Sequence, residues 1–569
     1  MTLSKLRITI PKWFVGIPLL FLAAYIFGTI CYLISDYIAL KAWYLHLFPC
    51  IYRHSYWTEQ FFTPEVLRLG KIYAALGLLI SLVLSTWLFR MVFKHKSFGS
   101  VSIQLNRSDS IPLFILYGLA ISCWIYGFLV SYPAYDEVFS AINCAGIHPF
   151  QTVSYYMLPN NHVFFNLLNG TIFHWVDNKV VSGRVISGIA MLALIPVLYF
   201  WLLKQTKSRY YATLFGGLML LQFPVWAFSF QARGYAIYLF CAWVAILSLQ
   251  KYLESRRGVF LVIHGLVTVI GFWIMPAYLF WEIAILLYAL IYMICFRKLE
   301  WKLIITHVIA ACFVYLAYLP ILLFSGKAAV TDNRYVKAGK ILAFKEYWPG
   351  FKNTFRCSIQ YCFSGNIDGH NWSYLILFFL PVLLYFLIRK TGSASFVGFY
   401  IITWLVLTAM ILNTQVYPFM RNLIAHDSIT LGVLLISIYT FANQILGERY
   451  KLVRAGLFSV AVLGMAYHFT VFNRGHIHDS IYSYEADVRY KSLQSAVLSL
   501  PAGARVGLSD EGFYWQFLCE RRGIPASMCM GVDANYYIKI KDTESLPAMD
   551  SSRATLWKMA DEYEIYKLK

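Results

Sequence analysis

Acidic residues are scarce in this chain of 569 residues. There are 28 Asp and Glu against 48 Lys and Arg, and only 15 of the acids fall in the first 471 positions. Charged residues of both signs make up 13%, hydrophobic ones 59%, and the mean hydropathy is +0.60. A water-soluble protein of this length is more polar, so a soluble globular enzyme is excluded and a polytopic membrane protein is expected. Neither a Walker loop nor a dinucleotide fingerprint occurs, which leaves ATP hydrolysis and nicotinamide chemistry without support. No Cys/His spacing resembles a zinc site, and no repeat recurs at a fixed period. The net charge of +20 is dispersed over many loops. Nucleic acid is therefore a poor partner, and anionic lipid headgroups are a better one. The 11 cysteines decide little. Cys357 with Cys362, or Cys519 with Cys529, are pairs that an oxidising compartment would permit.

Long apolar runs are abundant. At about 20 residues per membrane-crossing helix they give about 13 spans. These lie near 13–35, 71–94, 109–131, 182–203, 210–229, 234–252, 258–275, 278–296, 302–324, 372–388, 396–413, 423–444 and 453–471. Aromatic residues crowd many of the run ends, as interface belts do. With this count the basic N-terminus and the segments 93–96, 204–209, 254–258, 296–302, 388–390 and 448–454 all fall on one side, which the positive-inside rule assigns to the cytoplasm. The loops 132–181, 325–371 and 414–422, and the tail after 471, then face outward. No small-residue cleavage site follows the first run, so it is read as an uncleaved span.

The expected fold class is an all-α polytopic membrane protein with surface helices on its outer side and a small C-terminal α/β domain. Three parts are expected: two additional N-terminal spans (1–98), a transmembrane core (99–471) and an extracytoplasmic domain (472–569). In the last, "ARVGL" (504–508) and "NYYIKIKD" (535–542) read as strands and "EGFYWQFLCERRG" (511–523) as a helix.

Against the shortage of acids, "SYPAYDEVFS" (131–140) places Asp136 and Glu137 side by side just after a span. The amphipathic pattern that follows suggests a helix along the membrane surface. "PNNHVFFNLLNG" (159–170) then starts a second helix, with Pro159 near its beginning and Asn160 or Asn161 as N-cap. Arg184 comes at the outer end of the next span. The outer loop 325–371 breaks the charge rule, with seven Lys or Arg against three acids. It reads either as a solvated loop or as a basic lid over a phosphate-bearing lipid, with "ILAFKEYWPGF" lying in the interface. Glu282 falls within a span and needs a partner there; it is read as a paired structural residue.

The acidic pair, the surface helix, the "NNHVFFNLL" helix start and Arg184 together resemble the GT-C fold glycosyltransferases. Within them the likeness is to the protein O-mannosyltransferase and lipid A aminoarabinose transferase branch. "FSFQARGYAIYLF" (228–240) is similar to that branch's Arg-x-Tyr element, and "YLPILLFSGKAAVTDNRYV" (318–336) and "VYPFMRN" (416–422) also resemble family segments. The likeness covers roughly residues 109 to 425. Two extra spans precede the acidic loop, whereas many relatives have it after their first span, and the tail matches no particular subfamily.

The resemblance implies transfer of a sugar from a polyprenyl-phosphate donor to a hydroxyl of a glycan, lipid or protein on the outer side of the inner (plasma) membrane. It implies Asp136 as the base and inversion at the anomeric carbon. Glu137 could position the acceptor, raise the pKa of its neighbour, or face water. Arg184, Arg233 and Arg421 are the candidates for the donor phosphate, with Lys327 and Arg334 from the basic loop as additions, because guanidinium forks match phosphate oxygens. Asn161 and His162 are candidates for substrate contact, and Tyr235 for substrate contact or packing. No cofactor is read, and a divalent metal beside the acidic pair stays open. The alternatives are a ligase acting on a lipid-linked oligosaccharide and a transporter or flippase of lipid-linked sugars. A transporter would place charged or broken helices near the midplane, whereas the polar residues here gather at one end.

Overall fold

The computed structural model describes residues 6–9, 16–48, 61–94, 100–103, 106–156, 160–331, 344–363, 394–415, 417–447, 450–479 and 484–508, together with short stretches at 383–386 and between 518 and 568. A hairpin pairs β1 (Leu6–Thr9) antiparallel with β2 (Ser100–Ile103). Between these strands run α1 (Gly16–Ile34), α2 (Tyr37–Leu47) and α3 (Pro64–Lys94), with α1 and α3 packed together. The core follows as α4 (Ser110–Val130), α5 (Tyr135–Ser140), α6 (Pro149–Ser154), α7 (Val163–Thr171), α8 (Lys179–Thr206), α9 (Arg209–Leu221), α10 (Phe223–Ser229), α11 (Tyr235–Ser255), α12 (Val259–Ile274), α13 (Tyr278–Cys295), α14 (Trp301–Phe324), α15 (Gly326–Thr331), α16 (Phe344–Phe363), α17 (Ala394–Thr414), α18 (Ile424–Leu446) and α19 (Lys451–Asp479).

Among the described residues ten helices are long and apolar enough to cross a membrane, or eleven if α9 and α10 count as one span bent by 67°. The expected count of about 13 includes two further runs that this figure leaves out. The run at 258–275 forms α12, which at 16 residues falls short of the length of a full crossing. The run at 372–388 lies almost wholly outside the described residues. The α9–α10 break has a local cause. Pro224 stands in the first turn of α10, where its missing N–H is tolerated, and its ring would clash with a continued helix. Gln222, in extended backbone at the break, donates its buried amide to the carbonyls of Cys362 and Asp427, each at 2.9 Å. The corner is thus tied to α16 and α18. Cys357 and Cys362 lie five residues apart on α16 and are both free thiols, so the pairing considered for them does not form.

In the tail, α20 (Tyr484–Ser499) precedes a five-stranded sheet of β3 (Val506–Leu508), β4 (Ala526–Ser527), β5 (Tyr536–Ile540), β6 (Ala554–Ala560) and β7 (Tyr563–Leu568), in the order β4-β3-β5-β7-β6. β3 runs parallel to β4 and β5, while β5, β7 and β6 are antiparallel. Val506, Ile538, Tyr563 and Ile565 bury its core. The two strands read at 504–508 and 535–542 are present; most of the helix read at 511–523 lies outside the described residues.

The segment from 131 to 178 closes one end of the bundle, called here the loop end. The surface helix expected after Asp136 is broken into α5, a π turn at Ala141–Ala145 and α6, and the second helix expected there is α7. One carboxylate anchors it. Glu137 is fully buried and accepts four hydrogen bonds. Its own chain supplies Ala134 N at 2.8 Å, and Ala232 N comes from the turn between α10 and α11 at 2.6 Å. Arg184 on α8 supplies Nε at 3.0 Å and Nη2 at 3.1 Å. The remaining donors of Arg184 go to the carbonyls of Phe128, Ser131 and Tyr132. Three separate segments therefore meet on one charge pair.

Removing one partner of a buried ion pair leaves the other charge uncompensated and costs about 3–5 kcal/mol. Glu137→Gln and Arg184→Gln are each expected to lower the melting temperature of the detergent-purified protein sharply. The double variant, with no buried charge left over, should melt above the weaker single. A double variant that melts no higher than the weaker single would show that the pair is not the anchor.

Candidate active site at the loop end

Asp136 and Glu137 are consecutive on α5, so their side chains diverge by about 100° around the helix. Glu137 turns into the core and Asp136 turns toward the opening. Asp136 Oδ2 lies 2.9 Å from Arg421 Nη1, with the two side chains 31% and 38% exposed. Arg421 sits in a 3-10 turn (Met420–Leu423) just before α18, its guanidinium 4.8 Å from the centroid of the Phe419 ring. The turn is held from above by α16, where Tyr417 donates its hydroxyl to Tyr347 O at 2.7 Å. Gly350 lies so close to the Tyr417 ring that a Cβ there would come within 2.8 Å of it. The "ILAFKEYWPGF" segment thus contributes, through α16, a brace for the turn that carries Arg421.

The second cation is of another kind. Arg233 is 2% exposed and, among the described residues, pairs with no carboxylate. Its Nη1 donates to Asp136 O (3.1 Å), Ser140 Oγ (2.7 Å) and Asn160 O (3.1 Å), and its Nε has no partner. Nη2 faces His162 Nε2 at 3.1 Å. The other ring nitrogen, Nδ1, accepts from Gly234 N at 2.9 Å, so it carries no proton. In a neutral imidazole Nε2 then carries the proton. Arg233 and His162 therefore present N–H donors to each other, an arrangement that an anion's oxygen would relieve. Burial first, and then the charges of Arg233 and Arg421, hold the His162 pKa well below its ordinary value, so the ring is neutral. Position 234 must be glycine, since a Cβ would meet Ile274 at 2.6 Å and His162 Nδ1 at 2.9 Å.

The other sequence candidates fall into different places. Arg184 has all its donors engaged by Glu137 and backbone carbonyls and has none to offer a phosphate, so it serves the anchor rather than a donor site. Glu137, saturated by four donors, neither faces water nor forms a metal-ligand pair with Asp136. Asn161 does not cap α7, whose cap position is His162. Its amide donates to Thr152 O and Tyr155 O and accepts from Asn166, so it ties α6 to α7 and has no free donor for substrate. Tyr235 is 2% exposed. It packs edge-on against His162 with centroids 4.7 Å apart and lies under the Arg233 guanidinium. Lys327 is exposed on α15. Arg334 lies outside the described residues.

Two groups went unread in the sequence. His426 and Asp427, at the start of α18, are fully buried, and neither imidazole nitrogen nor carboxylate oxygen has a partner. Trp281 and Trp404 flank the His426 ring. The signal was present as "AHD" inside an apolar run, where ionisable residues are expensive. Ser140, which receives Arg233, carries no such signal.

An apolar cavity of about 660 Å³ borders the loop end, lined among others by Tyr25, Tyr32, Trp43, Phe150, Leu323 and Phe324.

No protein-family model matches the chain, and no curated protein does. Solved structures do. ArnT from Cupriavidus metallidurans in the apo state superposes with a TM-score of 0.50 at 11% identity, over 80% of this chain and 97% of that one. The same protein bound to undecaprenyl phosphate gives 0.46 at 13% identity, over 80% and 97%. The archaeal oligosaccharyltransferase AglB from Archaeoglobus fulgidus, with an inhibitory peptide and a dolichol-phosphate, gives 0.41 at 12% identity, over 76% and 69%. ArnT and AglB are membrane glycosyltransferases of the GT-C fold. This chain is a multi-pass α-helical membrane protein with the GT-C fold.

Proposed function

We propose that the chain transfers a sugar from a polyprenyl-phosphate donor to a hydroxyl acceptor at the loop end, which faces outward from the inner membrane, by one inverting displacement. The observation that carries this reading is the convergence of a half-exposed carboxylate, Asp136, with two arginines of different character. Arg421 pairs with its carboxylate and Arg233 holds its backbone carbonyl. The fold makes a glycosyltransferase the natural class, by analogy.

In this reading Asp136 accepts the acceptor's proton as the oxygen attacks the anomeric carbon. The electron pair of the breaking C–O bond passes to the lipid phosphate, whose charge Arg421 and Arg233 stabilise. The Asp136–Arg421 pair is exposed enough to be worth only about 0–1 kcal/mol. A phosphate that engages Arg421 in a fork can therefore displace the carboxylate, which releases Asp136 to act as a base once the donor is bound. His162 Nε2–H and the unpartnered Arg233 Nε offer further donors to the same anion. The apolar cavity beside the loop end has room for isoprenoid units. The sugar and the acceptor remain to be identified by their products.

Asp136→Asn should lower turnover by about 10²–10⁴-fold, the usual contribution of a positioned base. Its melting temperature should stay close to wild type, because the lost ion pair is a surface one. The test is mass spectrometry of envelope glycolipids and glycoproteins from cells carrying the wild type or the variant. A modified product present in both at equal amounts would reject the base, and would favour a ligase or transporter.

The buried neutral histidine sets a pH dependence of stability. Below about pH 6.5 the unfolded chain protonates His162 while the folded chain does not, so stability is full above that pH and falls as the pH drops through it. Between pH 7 and 5 the melting temperature of wild type should fall more steeply than that of His162→Gln. Parallel slopes would show that His162 is protonated in the folded state.

A further inference from the structure

In the interior of the bundle, nearer the end opposite the loop end, three consecutive helices bring two histidines and a glutamate together. His264 is on α12, Glu282 on α13 and His307 on α14, and one ligand-capable atom from each lies within 4.8 Å of the others. Among the described residues no other group of three His, Cys, Asp or Glu reaches this spacing. The partner that Glu282 was expected to need is thus His307, whose Nδ1 lies 2.9 Å from Glu282 Oε1.

Hydrogen bonding assigns the tautomers. His264 is fully buried, and its Nδ1 lies 2.9 Å from the carbonyl of Ala245 on α11. A carbonyl only accepts, so Nδ1 carries the proton and Nε2 holds a lone pair, with no partner. His307 Nδ1 faces the carboxylate, and its Nε2 has no partner among the described residues; on binding an ion, Nδ1 releases its proton and turns its lone pair to the metal. The second oxygen of Glu282 has only a 3.4 Å contact with Thr268 Oγ1. An unsatisfied lone pair is costly in an apolar interior. With the two rings 5.0 Å apart, the open lone pair of His264, the His307 ring and the Glu282 carboxylate form a cluster that an ion would complete.

We infer that His264, Glu282 and His307 form a binding site for a transition-metal dication, best matched by Zn²⁺, with water as the fourth ligand. Two imidazoles and one carboxylate are a zinc ligand set, whereas Mg²⁺ and Ca²⁺ take oxygen ligands. At a metal–ligand distance of about 2.1 Å, tetrahedral ligand atoms lie about 3.4 Å apart, so the widest separation here has to close by about 1.4 Å. The Ala245 carbonyl fixes the ring of His264 as an outer-shell partner does. The ion has a route in. His264 and His307 come five and six residues after the starts of α12 and α14, within about 9 Å of that end at 1.5 Å per residue. The two helix starts share one end, since Arg256 and Glu300 just before them form an ion pair at 2.5 Å. The His307 side chain is 13% exposed. Bound there, the ion pins α12, α13 and α14 together, away from the sugar-transfer site.

The test uses the full chain, free of any histidine tag, purified in detergent and washed with chelator. After incubation with Zn²⁺ and desalting, elemental analysis should find about one zinc per chain. Zn²⁺ should raise the melting temperature, equal Mg²⁺ should not, and Co²⁺ should give the visible absorption of a tetrahedral site. Glu282→Gln and His264→Asn should lose the zinc. If those variants do not fold, the zinc count, the melting shift and the cobalt spectrum of the wild type decide the question alone. Wild type that retains no zinc and shows no shift overturns the proposal. So does folded Glu282→Gln that holds as much zinc as wild type.

Discussion

The loop end depends on one buried carboxylate. Glu137 collects donors from the start of α5, from Arg184 on α8 and from the turn between α10 and α11. The same turn carries Arg233 and Gly234, and α5 carries Asp136. Asp136 and Arg233 are therefore held by segments that meet at Glu137, while Arg421 comes from the separate turn before α18. A buried charge pair is a poor source of net stability, but it is strict about geometry, because a displaced partner leaves an unpaired ion in a low-dielectric core. That strictness suits a place where three loops must be held in register.

Two adjacent acids have become two different tools. The turn of the helix sends one side chain inward to four donors and the other outward to a single exposed arginine. The arginines divide in the same way. Arg184 is spent on the scaffold, Arg421 is half exposed and loosely paired, and Arg233 is buried with no counter-anion. A buried guanidinium satisfied only by carbonyls, a hydroxyl and a facing ring N–H is an incomplete arrangement, and an anion would complete it. The donors of Arg233 stand beside a neutral histidine whose ring is locked by Gly234, so in the proposed reaction they would need little reorganisation to meet a departing phosphate.

Polar groups elsewhere in the bundle show the same economy. Asp109 pairs with Arg209 and accepts from Tyr199, and Glu300 pairs with Arg256 and accepts from Tyr252. Against these complete pairs, the open lone pairs of His264 and His307 stand out, as do the unpartnered His426 and Asp427. The two histidines stand with Glu282 in the cluster for which a zinc ion is proposed.

What could be read from the chain was what rests on local chemistry. Apolar runs of about 20 residues must be helices in a bilayer, so the membrane class and most helix positions followed directly. Two adjacent acids in an acid-poor body marked the loop end, and Arg233 and Arg421 were legible as cations near span ends. Tertiary structure alone decided the rest. It decided that Glu137 and Arg184 are scaffold, that Asn161 is a tie between short helices, and that the run at 210–229 is bent by 67° between α9 and α10. It also brought together His264, Glu282 and His307 from three helices. The physical reason is that a side chain's role is set by which donors and acceptors remain after its neighbours are satisfied, and those neighbours come from positions tens to hundreds of residues away. Hydropathy is a property of a segment, whereas hydrogen-bond satisfaction is a property of the fold.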